Sequence, residues 1–319
     1  MIQYIVILLD DTSTSFCHYM NEKADRRLIP LQTLKDGICY AMKENLNIQF
    51  VYPNYKLPKE YLAAIDSIDH TDIYPAEMSD NADVVVFDSL IAAKDYVFKE
   101  EVAYLIRTDK VSLFNEYKII GEILDKVTRL NVVITDIETF TEDDFMAYKS
   151  LLSNLAERVE QIYVSGKSPQ LNLLTDRIML EKMNNCGAGD TSVTLAPDGK
   201  FYVCPAFYLS ADGYTIGDMV NGLEIKNSQL YRLDHAPLCR RCDAWQCKRC
   251  IWMNRKTTLE VNTPSHEQCV VAHLERNASR KLLIDIRKHG KFMSGSEDIK
   301  EIDYLDPFDV KEEWEQEKK

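Results

Sequence analysis

The first half of the chain alternates two kinds of segment. Short apolar runs rich in β-branched residues recur: YIVILL from Tyr4, IQFVY from Ile48, DVVVF from Asp83, VAYLI from Val102, NVVITD from Asn131 and QIYVSG from Gln161. Between them lie stretches with apolar residues at helical spacing, LQTLKDGICYAMKEN from Leu31, KEYLAAIDSI from Lys59, EYKIIGEILDKVTRL from Glu116 and DDFMAYKSLLSNLAERVEQ from Asp143. Continuous apolar strands separated by amphipathic helices predict parallel β/α units, because strands covered on both faces have no polar side to show. About six such units make a partial or open barrel, or a doubly wound sheet; the pattern leaves both open.

Near residue 180 the pattern changes. TSVTLAPDGKFYVCP predicts two short strands around Pro197-Asp198-Gly199, a turn with residues suited to it. A loop-rich segment follows to Cys250. TPSHEQCVVAHLERNASRKLLIDIRKH then predicts a helix capped by Thr263, with Pro264 at its first position and Glu267 in its first turn. From about Ser294 the chain is charged with a few aromatics, which reads as a solvated tail or a short docking segment. There is no internal repeat. The expected division is 1–180, 181–292 and 293–319.

Charge and cysteine content narrow the function. A formal net charge of −13 argues against non-specific binding to nucleic acid. No apolar run approaches the roughly 20 residues of a membrane span. The N-terminus lacks the basic region and cleavage site of a signal peptide, so a cytoplasmic protein is expected. Nine cysteines then need a reason other than disulfides. Cys17 and Cys39 stand apart, whereas Cys186, Cys204, Cys239, Cys242, Cys247, Cys250 and Cys269 crowd into about a quarter of the chain. Such clustering points to metal.

Cys239-x2-Cys242 and Cys247-x2-Cys250 are two knuckles, each turning a pair of sulfurs toward one point. Four cysteines suit one tetrahedral zinc, but a four-residue gap is short for a zinc ribbon. Seven thiolates exceed the need of one zinc and suit two iron–sulfur clusters, one of them with an open iron or a non-cysteine ligand.

The order of these cysteines, with twelve residues between Cys186 and Gly199, resembles a SPASM domain, the auxiliary-cluster domain of many radical S-adenosylmethionine enzymes that modify peptides. The usual spacing has five and three residues where this chain has four and two. The wider text, NNCGAGDTSVTLAPDGKFYVCPAFY through CRRCDAWQCKRCIWMNRKTTLEVNTPSHEQC, with VILLDDTSTSFCHY and NIQFVYPNY, is similar to the CXXX-repeat peptide maturases. The resemblance implies a partial (β/α)6-type barrel like a radical SAM domain, followed by a SPASM-type cysteine domain with a β-hairpin and a C-terminal helix. It also implies two 4Fe–4S clusters, one on Cys239, Cys242, Cys247 and Cys269, the other on Cys186, Cys204 and Cys250.

A radical SAM domain carries Cys-x3-Cys-x2-Cys on the loop after its first strand. With Cys17 as the middle cysteine, Ser13 and Met20 fall where the others belong, and Tyr19 takes the expected tyrosine position. Serine and a thioether are poor substitutes for anionic sulfur. The resemblance thus implies a decayed site; the plainer reading is an incidental loop cysteine on an unrelated α/β domain. The implied function is maturation of a ribosomally made, cysteine-rich peptide beside an intact radical SAM partner enzyme, with no S-adenosylmethionine cleavage by this chain. Its clusters would carry electrons, or an open iron would ligate a substrate thiolate. The rival is a zinc-stapled adaptor with Cys239, Cys242, Cys247 and Cys250 as ligands, recruiting a peptide or protein without catalysis.

Other residues add little. His235 and His266 are alternative fourth ligands of the three-cysteine cluster, or ordinary surface histidines, and His273 reads as a helix-face residue. Trp245 and Trp252 flank the knuckles, as water shields or the lining of a peptide groove. Cys239 to Lys281 holds nine Arg or Lys against four Asp or Glu, which offset cluster charge or attract an acidic partner. The pairs Asp10-Asp11 and Asp143-Asp144 read as solvated or capping. No phosphate-binding glycine loop, GxSxG or HExxH is present, nor a flavin or nicotinamide fingerprint.

Overall fold

The computed structural model describes residues 2–23, 25–79, 82–210 and 213–308. Its frame is one nine-stranded sheet in the order β7-β6-β5-β4-β3-β2-β1-β8-β9. The strands are β1 (Tyr4–Leu8), β2 (Asn47–Val51), β3 (Thr71–Pro75), β4 (Val84–Phe87), β5 (Ala103–Thr108), β6 (Arg129–Ile134), β7 (Gln170–Leu171), β8 (Ser192–Leu195) and β9 (Phe201–Tyr202). All neighbours pair parallel except β8 and β9, which form the expected antiparallel hairpin. Sequential parallel strands with intervening helices make the partial barrel, one of the two architectures the alternating pattern left open and the one the resemblance implied.

The helices are α1 (Leu31–Lys43), α2 (Lys59–Ile65), α3 (Leu90–Ala93), α4 (Lys110–Glu116), α5 (Lys118–Leu124), α6 (Glu142–Val164), α7 (Asp176–Met179), α8 (Pro205–Leu209), α9 (Ile251–Thr258) and α10 (His266–Arg287). None is long and apolar enough to cross a membrane. Gly37 lets α1 lie close to the sheet: a Cβ there would stand 2.4 Å from Leu195 Cδ2.

Three expectations are corrected. QIYVSG is no strand but the end of α6, where Val159, Ile162 and Tyr163 continue the buried face of Leu152, Leu155 and Ala156. A capping box of Thr141 and Asp144 starts that helix, and once it is nucleated, propagation outweighs the local β preference. β3 went unpredicted because it is polar, with Ile73 its one aliphatic residue. The cap of α10 is Ser265, whose side chain accepts the Gln268 amide at 3.3 Å, rather than Thr263, whose carbonyl accepts a hydrogen bond from Thr258 Oγ1.

The core is continuous across residue 180. β8 pairs with β1, Ile7 opposite Leu195, and α10 packs along α6, with Val270, Val271 and Leu274 in one cluster with Leu151, Leu152 and Leu155. Tyr148 of α6 donates a 2.8 Å hydrogen bond to Glu275 of α10 inside that contact. Of the charged segment after Ser294, residues to 308 are docked: Ile299 and Asp306 are buried, and Asp306 accepts a 2.5 Å bond from His266. Residues 309–319 lie outside the described part.

Candidate metal centres

The cysteines fall into two groups. Cys239, Cys242, Cys247 and Cys269 line one small cavity, with Met183, Arg249, Gln268 and His273. Three come from the knuckle segment and the fourth from the first turn of α10. Burial raises each thiol, and neighbouring thiolate charges raise Cys239, Cys242 and Cys269 further: Cys239 and Cys242 reach about 12, and Cys247 and Cys269 also rise. Cys250 does not line this cavity. Of the zinc set Cys239, Cys242, Cys247 and Cys250, three share this cavity and Cys250 stands outside it.

Cys250 lies instead with Cys186 and Cys204. Burial pushes Cys204 well up, and the charges of Cys250, Cys186 and Cys17 push it the same way. Cys250 is raised by burial, then by Cys186 and Cys17. Cys186 keeps an exposed surface, yet the atoms packed around it still raise its thiol. Its amide donates to the Lys248 carbonyl at 3.2 Å, so the segment before β8 runs beside the second knuckle. A tight turn at Gly187, whose φ is +73°, sets the path from Cys186 into β8.

The local chemistry suits anionic sulfur in several ways. Backbone amides of Ala244 and Arg249 donate to Cys242 and Cys247 sulfur at 3.4 Å, and those of Ala188, Ala206 and Met253 favour the ionised forms of Cys186, Cys204 and Cys250. Arg249 is 1% exposed, and its Nε and Nη1 find no partner among the described residues. Its one guanidinium hydrogen bond, from Nη2, goes to the Tyr231 carbonyl. A buried guanidinium left half unpaired beside thiols that its charge lowers is suited to an anionic centre. Among the described residues no three His, Cys, Asp or Glu side chains gather tightly enough for a single metal ion. A ring of thiols around a cavity suits a polynuclear cluster.

Positioning comes from residues the sequence did not single out. Arg276 is fully buried and grips Asp243 with Nε at 3.0 Å and Nη2 at 2.6 Å. Arg177 reaches the same carboxylate at 3.3 Å and stacks over Trp245 at 3.9 Å. Asp243 follows Cys242 directly, so the knuckle is pinned to α10 and α7. The basic excess of this stretch is thus partly structural. His273 places Nε2 3.7 Å from Cys242 sulfur, while Nδ1 meets the Cys269 carbonyl at 2.9 Å. Its spacing of four from Cys269 puts both on one helix face, a signal present in the sequence. Trp252 is half-buried, its indole near Ser210 Oγ at 3.4 Å. His235 and His266 are both exposed.

The loop after β1 is built differently. Ser13 donates its hydroxyl to the Val51 carbonyl at 2.8 Å and accepts the Asp10 amide at 3.0 Å. Met20 is 59% exposed, and Tyr19 is buried. Arg107, at the end of β5, donates to the Cys17 carbonyl at 3.1 Å and the Tyr19 carbonyl at 2.6 Å. Asp10 and Asp11 are buried rather than solvated: Asp10 takes Tyr55 OH at 2.7 Å, and Asp11 takes Tyr208 OH and Arg27. Asp144 is the capping residue expected and also pairs with Lys110 at 2.7 Å. His18 holds the Ile134 carbonyl at 2.8 Å.

No protein-family profile matches the chain, and no curated protein matches it in sequence. Solved structures do. A histidine-tagged anSMEcpe with bound AdoMet superposes with a TM-score of 0.60 at 13% identity, covering 92% of this chain and 97% of that one. Native anSMEcpe with bound AdoMet and Cp18Cys peptide gives 0.58 at 12% identity, covering 90% and 100%. The fold is radical SAM-like. At this identity the likeness is one of backbone path, and it matches the partial barrel expected from the sequence.

Proposed function

We propose that the protein binds two 4Fe–4S clusters and acts in peptide maturation as the partner of an intact radical SAM enzyme. The observation that supports this reading is the sorting of the clustered thiols into two groups, with the half-unpaired guanidinium of Arg249 near Cys239 of one and Cys186 of the other. Cys239, Cys242, Cys247 and Cys269 would hold one cluster, and Cys186, Cys204 and Cys250 the other. A bound cluster supplies one-electron transfer. The chain's own part is to bury the thiolates, direct amides to their sulfur and set cationic side chains beside them. A peptide substrate is supported by the neighbour solved with a peptide.

The loss of S-adenosylmethionine cleavage follows from the first loop. Ser13 is spent on the ends of β1 and β2, and Met20 is exposed, so neither stands ready as a cluster ligand. The barrel would keep a structural and docking role, in a division at 1–180, 181–292 and 293–319 whose described parts share a hydrophobic cluster. The zinc adaptor is disfavoured by the separation of Cys250 from the other knuckle thiols.

The test is anaerobic reconstitution with iron and sulfide. The expected product is brown, absorbs broadly near 400 nm (about the usual range for such clusters), bleaches with dithionite and makes no 5′-deoxyadenosine from S-adenosylmethionine. Stoichiometric zinc without iron or labile sulfide overturns the cluster reading; appreciable 5′-deoxyadenosine overturns the partner role.

A further inference from the structure

We propose that residues 296–308 form a releasable strap that closes the cavity of Cys239, Cys242, Cys247 and Cys269, and that charge along one face of α10 holds the strap down. The inference goes beyond the cluster reading, because it concerns access to the cavity and not what fills it.

His266, His273, Arg280 and Arg287 stand seven residues apart on α10 and so share one face of the helix. Each meets the segment after Gly295. Arg287 pairs with Asp298 and donates to the Ser296 carbonyl at 2.6 Å. Arg280 pairs with Glu301 at 3.0 Å. The His273 ring lies against that of Tyr304, their centroids 5.5 Å apart, and His266 holds Asp306 at 2.5 Å. The order is reversed, so the segment runs antiparallel to α10 from its last turn to its first. The steps match as well. Seven helical residues rise about 10.5 Å, and three extended residues reach about 10 Å, the interval from Asp298 to Glu301 and again to Tyr304. The strap carries Glu297, Asp298, Glu301, Asp303 and Asp306 against Lys300 alone, which complements the stripe.

The far end of the strap sits at the thiols. Pro307 lines their cavity. Tyr304 packs on His273, whose Nε2 is 3.7 Å from Cys242 sulfur. Asp306 is buried, and it accepts the Phe308 amide at 2.9 Å, which turns the chain at Pro307.

The strap is tied more weakly than the helix beneath it. Of its isoleucines and leucine only Ile299 is fully buried, in the cluster that holds Leu282, Leu283 and Ile286 of α10. Asp298 and Glu301 leave 91% and 80% of their side chains exposed, and ion pairs so placed are weak and screened by salt. A segment held by so few contacts opens while the rest stays folded.

The test is alkylation of full-length, reduced, metal-free protein with a neutral thiol reagent, read at each cysteine by mass spectrometry. In wild type the cavity thiols should react more slowly than exposed Cys39. Asp298→Lys with Glu301→Lys sets like charges against the stripe and should speed the cavity thiols about tenfold, with Cys39 unchanged. Adding Arg280→Glu and Arg287→Glu should slow them again. Arg280 is already eleven residues from Cys269, roughly 16 Å along the helix and beyond the Debye length, so the new charges do not act on the thiols directly. Unchanged cavity rates in the folded double variant overturn the proposal, and so does a quadruple variant as fast as the double. If circular dichroism shows the double variant unfolded, wild type decides: cavity thiols that react faster at high salt than at low salt support the strap, and equal rates overturn it. No metal enters this assay, so its failure leaves the cluster reading standing, and a failure to take up iron leaves the strap standing.

Discussion

The two thiol groups are assembled by opposite routes. Cys239, Cys242 and Cys247 come from nine consecutive residues and need only α10 to supply Cys269. Cys186, Cys204 and Cys250 come from three separate segments, which β8 beside β1 and the second knuckle running past residue 186 draw toward one region. The first group is a local motif stapled to a helix. The second is a product of the barrel, so its integrity should follow the sheet.

That contrast can be broken experimentally. The largest effect is expected at Arg276, whose burial and two-point grip on Asp243 fasten the local group. Arg276→Ala should cost about 3–5 kcal/mol, the usual result of removing one partner of a buried pair. In chemical denaturation this appears as a lower midpoint, and the first cluster's iron should fall while the second cluster's signal persists. Equal loss from both would show that the groups are not independent.

A middling effect is expected from Gly37→Ala. The added Cβ meets Leu195 of β8, so overpacking should cost about 1–3 kcal/mol. It should disturb the dispersed group first, because β8 carries the chain from Cys186 toward Cys204. Hydrogen exchange in β8 and β9, read against the knuckle segment, checks this.

The smallest effect concerns the docked C-terminal segment. A hydrogen bond to Asp306 raises His266 above its ordinary value. The folded state therefore binds this proton more tightly than the unfolded one. The stabilisation is fully present below the unfolded histidine value, near 6.5, and is lost as pH rises through the raised folded value. His266 is half exposed, so the contribution should stay below ~1 kcal/mol. Urea midpoints of wild type should fall more across that window than those of Asp306→Asn; parallel curves would remove His266 from the docking.

The legible part of the molecule was the part written over short distances. The apolar runs marked β1, β2, β4, β5 and β6, and the knuckles marked the local thiol group. QIYVSG misled because a strong N-terminal cap and a continuing apolar face carry α6 through it. β3 was hidden because its place in the sheet comes from backbone pairing with β2 and β4 rather than from its side chains. Arg107, Arg177, Arg249 and Arg276 were invisible as individuals. Nothing in an arginine's neighbours along the chain says that it will be buried against a carboxylate or beside a sulfur.

The sequence by itself determined the alternating α/β pattern, the hairpin around Gly199 and the excess of thiols over what one zinc needs, because periodicity, turn chemistry and ligand spacing act over a few residues. Tertiary structure alone decided that Cys250 stands outside the cavity lined by the other knuckle thiols, that the segment of Cys186 runs beside the second knuckle, and that Asp10 and Asp11 are buried. Those outcomes depend on which strands pair and how closely helices approach them, and contacts between residues over a hundred positions apart leave no local mark.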